Sequence, residues 1–109
     1  MKYFESISFI TNQLSALNIP YSVNRIYEGY QIRFPWDNGD IACHDGTYHS
    51  DIGFVETFNF PWDNKDISIL SPVEATIKII AHYSAYLDTE KEKAWKSFFF
   101  FYFSFFKVL

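Results

Sequence analysis

The chain has 109 residues, of which 49% are hydrophobic and 22% aromatic, and this composition excludes a disordered protein and suffices for one domain with a core. The formal net charge is −4, and residues 1–90 carry 5 Lys or Arg against 12 Asp or Glu, an acidic balance that disfavours a nucleic-acid partner. A single cysteine permits no internal disulfide, and with no N-terminal signal peptide recognised we expect a cytoplasmic protein.

The first part of the chain predicts an amphipathic helix over residues 3–17. Its apolar positions recur at steps of three and four residues, the spacing that lines one face of a helix. They are Phe4, Ile7, Ile10, Leu14 and Leu17. Asn18 readily takes the left-handed conformation that ends a helix, and Pro20 prevents its continuation.

Short antiparallel strands are predicted next. Apolar and polar residues alternate up to Phe34, which indicates a hairpin that turns near Gly29 and a strand that ends before Pro35. The elements predicted after it are a turn at 36–39 with positive φ at Asn38 or Gly39, a third strand at 41–44 and a fourth strand at about 53–60.

A second helix begins after Ser71. Ser71 is an N-cap residue, Pro72 occupies the first helical position, and Glu74 completes a capping box. The predicted buried face of this helix comprises Val73, Ile77, Ile80, Ser84 and Leu87. The order of helix, three or four antiparallel strands and helix predicts an α+β fold, residues 1–90, with both helices on one face of the sheet.

Residues 91–109 form a basic and then Phe-rich tail, with six consecutive aromatic residues from Phe98 to Phe103. The aromatic-rich stretch 97–109 is too short for a membrane span and contains Lys107. Three interpretations are open. The tail packs on the open face of the sheet or in a homo-oligomer, residues 97–109 lie in a membrane interface, or the tail is an accidental extension of the gene.

The stretch 40–56 contains residue types that bind metals or act as nucleophiles. Cys43, His44 and His49 suit a transition metal or an activated thiol, so a metal- or thiol-dependent enzyme is the alternative function. However, neighbouring residues of a strand point to opposite faces, which separates Cys43 from His44, and no second cysteine completes a zinc site. We therefore predict no catalytic residue, no metal site and no cofactor.

The sequence F-P-W-D-N occurs twice, at 34–38 and at 60–64. Two copies are too few for a repeat architecture, so we interpret them as a reused turn. A tryptophan that follows a proline in a turn is hard to bury, and exposed tryptophans are enriched where proteins bind each other. We predict a protein-binding surface that combines these turns with the loop 44–51. The predicted binding residues are Trp36, Trp62, His44, Asp45, Tyr48 and His49.

Three segments together resemble a family of phage proteins. They are D-I-x-C-H-x-G-T-Y from Asp40 to Tyr48, G-F-V-E from Gly53 to Glu56, and L-S-P-V-E-A at 70–75. Over residues 25–85 the chain resembles small uncharacterised proteins encoded by phages and prophages of Gram-positive bacteria. The resemblance implies a phage or prophage accessory protein that acts in the bacterial cytoplasm. We predict that such a protein binds a host or phage factor, as an inhibitor or modulator. It implies no activity and no catalytic residue.

Overall fold

A five-stranded antiparallel sheet lies at the centre of the fold. The computed structural model describes the backbone of residues 2–108 and the side chains of residues 3–97. The strands are β1 (Ser22–Ile26), β2 (Gly29–Phe34), β3 (Asp37–Cys43), β4 (Val55–Phe58) and β5 (Ile67–Leu70). They are neighbours in chain order. The helices are α1 (Lys2–Ala16) and α2 (Pro72–Val108), and two short 3-10 helices span Ser50–Ile52 and Pro61–Asp63.

The predicted α+β architecture is confirmed. α1 packs on β2 and β3, α2 packs on β4 and β5, and the two helices contact each other, so one face of the sheet carries both. A single cluster of buried side chains joins the layers, and its fully buried members include Ile10, Leu14, Ile32, Ile41 and Ile79. The sheet has five strands where three or four were predicted, because the short segment Ile67–Leu70 also pairs with β4.

α1 buries the central part of its predicted face. Ile7, Ile10 and Leu14 are buried, whereas Phe4 and Leu17 at the two ends are about half exposed. The helix ends as the sequence predicts: Asn18 has a φ of 56°. The Ile19 N–H donates to the Leu14 carbonyl and the Asn18 N–H to the Ser15 carbonyl, the paired bonds of a Schellman motif.

α2 begins as predicted but buries a different face. The Glu74 N–H donates to Ser71 Oγ, which confirms the N-cap. Ala75 and Ile79 are fully buried, whereas Val73 and Ile77 are 53% and 62% exposed. Of the predicted face only Ile80 packs against the core. The rest of the prediction was wrong because apolar residues occupy two sides of this helix, and the side with the small Ala75 is the one that meets the sheet and α1.

α2 also continues past Leu87, the last residue of its predicted buried face, and every residue from Leu87 to Ser97 is exposed. The side chains of the Phe-rich segment lie outside the described residues. Its packing, its oligomeric contacts and the membrane contact of residues 97–109 therefore stay predictions. In the part of the chain that the structure describes, none of the helices has the length and hydropathy that a membrane span requires.

Two glycines are required by space rather than by turn geometry. The β1–β2 turn is formed by Tyr27 and Glu28, both with positive φ, and Gly29 already begins β2. A Cβ on Gly29 would overlap the carbonyl oxygen of Cys43 in the neighbouring strand. The predicted turn at 36–39 was wrong, because Asp37 begins β3, and Gly39 lies within that strand under the ring of Phe60.

The two sides of α2 give a matched test of the fold. We expect Ile79→Ala to lower the free energy of unfolding by about 2–5 kcal/mol, because it leaves a cavity in the core. Ile77→Ala removes the same atoms from an exposed position, so we expect a change within about 0.5 kcal/mol. Urea denaturation followed by circular dichroism measures both values, and equal losses in the two variants would contradict the observed orientation of α2.

Candidate functional site

The six predicted binding residues lie at two opposite ends of the sheet. β3 runs from Asp37 to Cys43, so Trp36 precedes one end of the strand and His44 follows the other. A seven-residue strand spans about 20 Å. Because the connections of an antiparallel meander alternate between the ends, Trp62, which lies between β4 and β5, joins Trp36. His44, Asp45, Tyr48 and His49 lie at the far end, and the structure does not bring the two groups together.

The loop after β3 is held by hydrogen bonds between its own side chains and its own backbone. His44 Nδ1 accepts a hydrogen bond from the Gly46 N–H at 2.9 Å, and the Thr47 hydroxyl donates to the His44 carbonyl. His44 Nδ1 also lies 3.7 Å from Asp45 Oδ1. A ring nitrogen that accepts a hydrogen bond carries no proton, so we assign no ion pair between these two side chains. Asp45, Tyr48 and His49 are exposed, and this loop presents separate side chains rather than a cluster.

Cys43 belongs to the buried core cluster, whereas His44 follows the end of β3, and its ring lies 5.2 Å from that of Tyr27. The thiol is fully buried and lies 3.5 Å from the Phe54 carbonyl, which it faces as a donor. Burial raises the pKa of Cys43 to about 11, although an interaction with Ser6 acts in the opposite direction. A thiol with this pKa is protonated at neutral pH and is a poor nucleophile. Among the described residues, moreover, no three His, Cys, Asp or Glu side chains are grouped to hold a metal ion.

The first F-P-W-D-N copy connects β2 and β3 and contacts α2. Trp36 Nε1 donates to the Pro20 carbonyl at 3.0 Å, which fixes the indole against the segment that follows α1. Asp37 accepts two hydrogen bonds: Oδ2 from the Gly39 N–H at 2.8 Å, and Oδ1 from His82 Nε2 at 2.9 Å when that nitrogen is protonated. This copy therefore attaches the turn to the helix.

The second copy forms a closed hydrogen-bonded unit. Asp63 is buried, and its carboxylate accepts the Thr57 hydroxyl at 2.7 Å and the Phe60 N–H at 3.1 Å. Trp62 Nε1 donates to the same Thr57 hydroxyl at 3.0 Å. The Trp62 ring stacks on Phe60, with centroids 4.5 Å apart, and Lys78 Nζ lies 5.5 Å from its centroid. Equal sequences thus have unequal surroundings.

The ring of His82 on α2 contacts aromatic residues of both motif copies. Its ring lies 5.5 Å from that of Trp36, 5.8 Å from that of Trp62 and 5.7 Å from that of Phe60. Tyr83 and Tyr86 extend the group, with centroids 4.9 and 5.6 Å from Trp36. We call these six residues the aromatic cluster. The sequence prediction missed the three on α2, although a histidine and two tyrosines at positions 82, 83 and 86 share one side of a helix.

The two tryptophans were expected to be exposed, but both are partly buried, and the indole N–H of each is bonded within the chain. They nevertheless differ in access. An open cleft of about 450 Å³ borders Trp36, and its lining residues are Pro20, Pro35, Trp36, Tyr83, Tyr86, Leu87 and Glu90. We call it the Trp36 cleft. A neighbouring cleft of about 320 Å³ shares Tyr86 and Glu90 with it and includes Asp37 and His82.

Comparison with protein-family models, with curated proteins and with solved structures found no match to this chain. The resemblance to phage and prophage proteins therefore stays a prediction. The geometry of the site is the basis for any functional proposal.

The Thr57 hydroxyl holds the second turn together, and its removal is a direct test. We expect Thr57→Val to lower the free energy of unfolding by about 1–3 kcal/mol, because Asp63 and the Trp62 N–H both lose a buried partner. Thr89→Val is the matched control, since Thr89 is exposed on α2 and bonds only the Ala85 carbonyl. Thermal and urea unfolding measure both. A loss in Thr57→Val no larger than in the control would contradict this role.

Cys43 should be unreactive in the folded protein. At pH 8 a thiol with a pKa of about 11 is roughly one-thousandth ionised, whereas an unfolded cysteine with a pKa of about 8.5 is about one-quarter ionised. We therefore expect a disulfide reagent such as DTNB to react at least about 100-fold more slowly with the native chain than with the chain in guanidinium chloride. Similar rates in both states would contradict the burial of the thiol.

Proposed function

We propose that this protein is a binding module that recognises a segment of another protein through the Trp36 cleft. The observation that carries the proposal is the combination of two prolines, one tryptophan and two tyrosines around one open depression. Tryptophan and tyrosine are the residues most enriched among those that dominate the energy of protein interfaces. The resemblance of residues 25–85 to phage proteins suggests a host or phage factor in the bacterial cytoplasm as the partner.

Rigidity supports the same proposal. The Trp36 ring is held by its hydrogen bond to Pro20 and by ring contacts with Phe34, His82 and Tyr83. A ring that is already fixed loses little conformational freedom when a partner binds, so more of the contact energy becomes affinity. Trp62 is less suited to this role, because Phe60 stacks on it and Lys78 lies over its ring.

The alternative, a metal- or thiol-dependent enzyme that uses Cys43, His44 and His49, has no comparable support. The Cys43 thiol is buried in the core, and the ring of His44 packs beside that of Tyr27. His49 is exposed, in a left-handed conformation, with its ring against Phe54. Nucleophilic catalysis requires a base within hydrogen-bonding distance of the nucleophile, and the structure gives no such contact for Cys43 among the described residues.

Affinity capture with variants at the two ends of the sheet tests the proposal. The full chain is the bait, in a lysate of a Gram-positive bacterium, and captured proteins are quantified by mass spectrometry. We expect Tyr86→Ala to reduce the recovery of specific partners about tenfold, because it truncates an aromatic wall of the cleft. Tyr48→Ala removes an exposed tyrosine from the opposite end and should leave recovery unchanged.

Circular dichroism and thermal unfolding establish that both variants are folded. Partners that are lost equally from both variants, or from Tyr48→Ala alone, would overturn the assignment of the binding site to the Trp36 cleft. Partners retained by both would overturn it as well.

A further inference from the structure

The walls of the Trp36 cleft suit flat, rigid groups. The rings of Tyr83 and Tyr86 are stacked, with centroids 5.9 Å apart and planes 28° apart, and Trp36 is inclined by 34° to Tyr86. Together these three rings form the aromatic wall of the cleft. Prolyl rings of a polyproline II helix fit such surfaces, and aromatic-lined grooves are the common receptors of proline-rich segments.

The hydrogen-bonding groups around the cleft favour the same occupant. Pro20 and Pro35 have no N–H, and the Pro20 carbonyl already accepts the Trp36 indole N–H. The remaining wall is the side of α2, whose backbone groups are bonded within the helix. The cleft therefore has no free strand edge that a partner strand can extend.

Two hydroxyls remain as the polar groups of the aromatic wall. Tyr83 and Tyr86 line the cleft, and within the described part of the chain no hydrogen bond joins either hydroxyl to another residue, so both can donate to a ligand. A proline-rich segment lacks N–H groups at its prolines and exposes its carbonyls, which need donors. The polar requirements of the segment and of the cleft are complementary.

The charged residues around the cleft favour a basic residue at one end of the bound segment. Glu90 lines both clefts, and Asp37 and Lys93 line the second, whereas the Trp36 cleft has Glu90 as its one charged lining residue. Residues 1–90 carry a net charge of −7. Glu90 is paired with Lys93 at 3.2 Å, but both side chains are largely exposed, and such pairs are weak enough for a ligand cation to replace. A basic residue beside the prolines would therefore face Glu90.

We propose that the segment bound in the Trp36 cleft is a proline-rich polyproline II helix with an adjacent arginine or lysine. This inference rests on the proposed function and specifies the chemistry of its partner. Trp36, Tyr83 and Tyr86 receive the prolyl rings, the two tyrosine hydroxyls bind the carbonyls, and Glu90 binds the cation.

Three synthetic peptides of equal length are the probes, titrated into the full chain by calorimetry and by NMR of the indole and backbone N–H signals. The first is proline-rich with two arginines at one end, the second has glutamates in place of the arginines, and the third is a proline-free amphipathic helix with the same charge as the first. We expect the first to bind at least about tenfold more tightly than the other two and to shift the Trp36 indole signal.

Three variants locate the contacts. Glu90→Lys should remove most of the preference for arginine over glutamate. The double variant Tyr83→Phe and Tyr86→Phe keeps the rings and should weaken binding of the first peptide about fivefold through the lost hydroxyls. Tyr48→Phe at the opposite end should change nothing.

The outcomes separate this inference from the proposed function. Tighter binding of the helical peptide at the cleft would overturn the polyproline inference and leave a protein-binding cleft. Binding of the proline-rich peptide without a shift at Trp36, or without dependence on Glu90, would also overturn the inference. The affinity capture described above decides the proposed function independently, since it does not depend on the peptides.

Discussion

In an antiparallel meander, successive connections alternate between the two ends of the sheet, and the location of the candidate site depends on this constraint. The β2–β3 and β4–β5 connections are two steps apart in the chain, so they lie at the same end. One copy of F-P-W-D-N lies at each of these connections. The β3–β4 connection, which carries His44 to Phe54, is brought to the other end by the same rule. The two copies of the motif therefore lie at the same end of the sheet, although they start 26 residues apart in the chain.

α2 completes the aromatic cluster, because its His82, Tyr83 and Tyr86 contact residues of the two motif copies. His82 is polar enough to bond Asp37 and aromatic enough to contact the rings of both tryptophans. The cluster extends the core cluster toward one end of the molecule, because Phe60 belongs to both and the core residue Phe34 contacts Trp36. Such contacts add specific ring geometry to simple burial of apolar area. The side of the cluster away from the core borders solvent, and there the Trp36 cleft opens.

Local signals in the sequence predicted much of the fold. The central positions of α1, the left-handed Asn18 and the Ser71 cap all follow from rules that act within a few residues. The failures occurred where distant contacts decide. Ile77 and Ile79 are both apolar residues of one helix, and only the packing of α2 on β4, β5 and α1 determines which is buried.

The candidate site was predictable only in part, for the same reason. The two tryptophans were identified from their turns, but the sequence did not indicate that α2 would cover them, nor that loop 44–51 would lie about 20 Å away. Gly39 is an example of a residue whose role the local sequence could not predict. The dipeptide Asn38-Gly39 predicts a turn from its sequence alone. In the structure, however, Gly39 is in a strand and leaves room for the ring of Phe60, which belongs to the other motif copy.

The unequal surroundings of the two motif copies divide structural from binding roles. In the second copy the aspartate, the tryptophan N–H and the turn backbone satisfy one another around Thr57, which leaves a buried carboxylate and a ring covered by Phe60 and Lys78. In the first copy Asp37 and Trp36 are bonded to other elements, and the indole borders an open cleft. A self-contained turn stabilises the end of the sheet. A turn whose partners are α2 and Pro20 instead defines the shape of the surface between them, and the binding site is therefore proposed at the first copy.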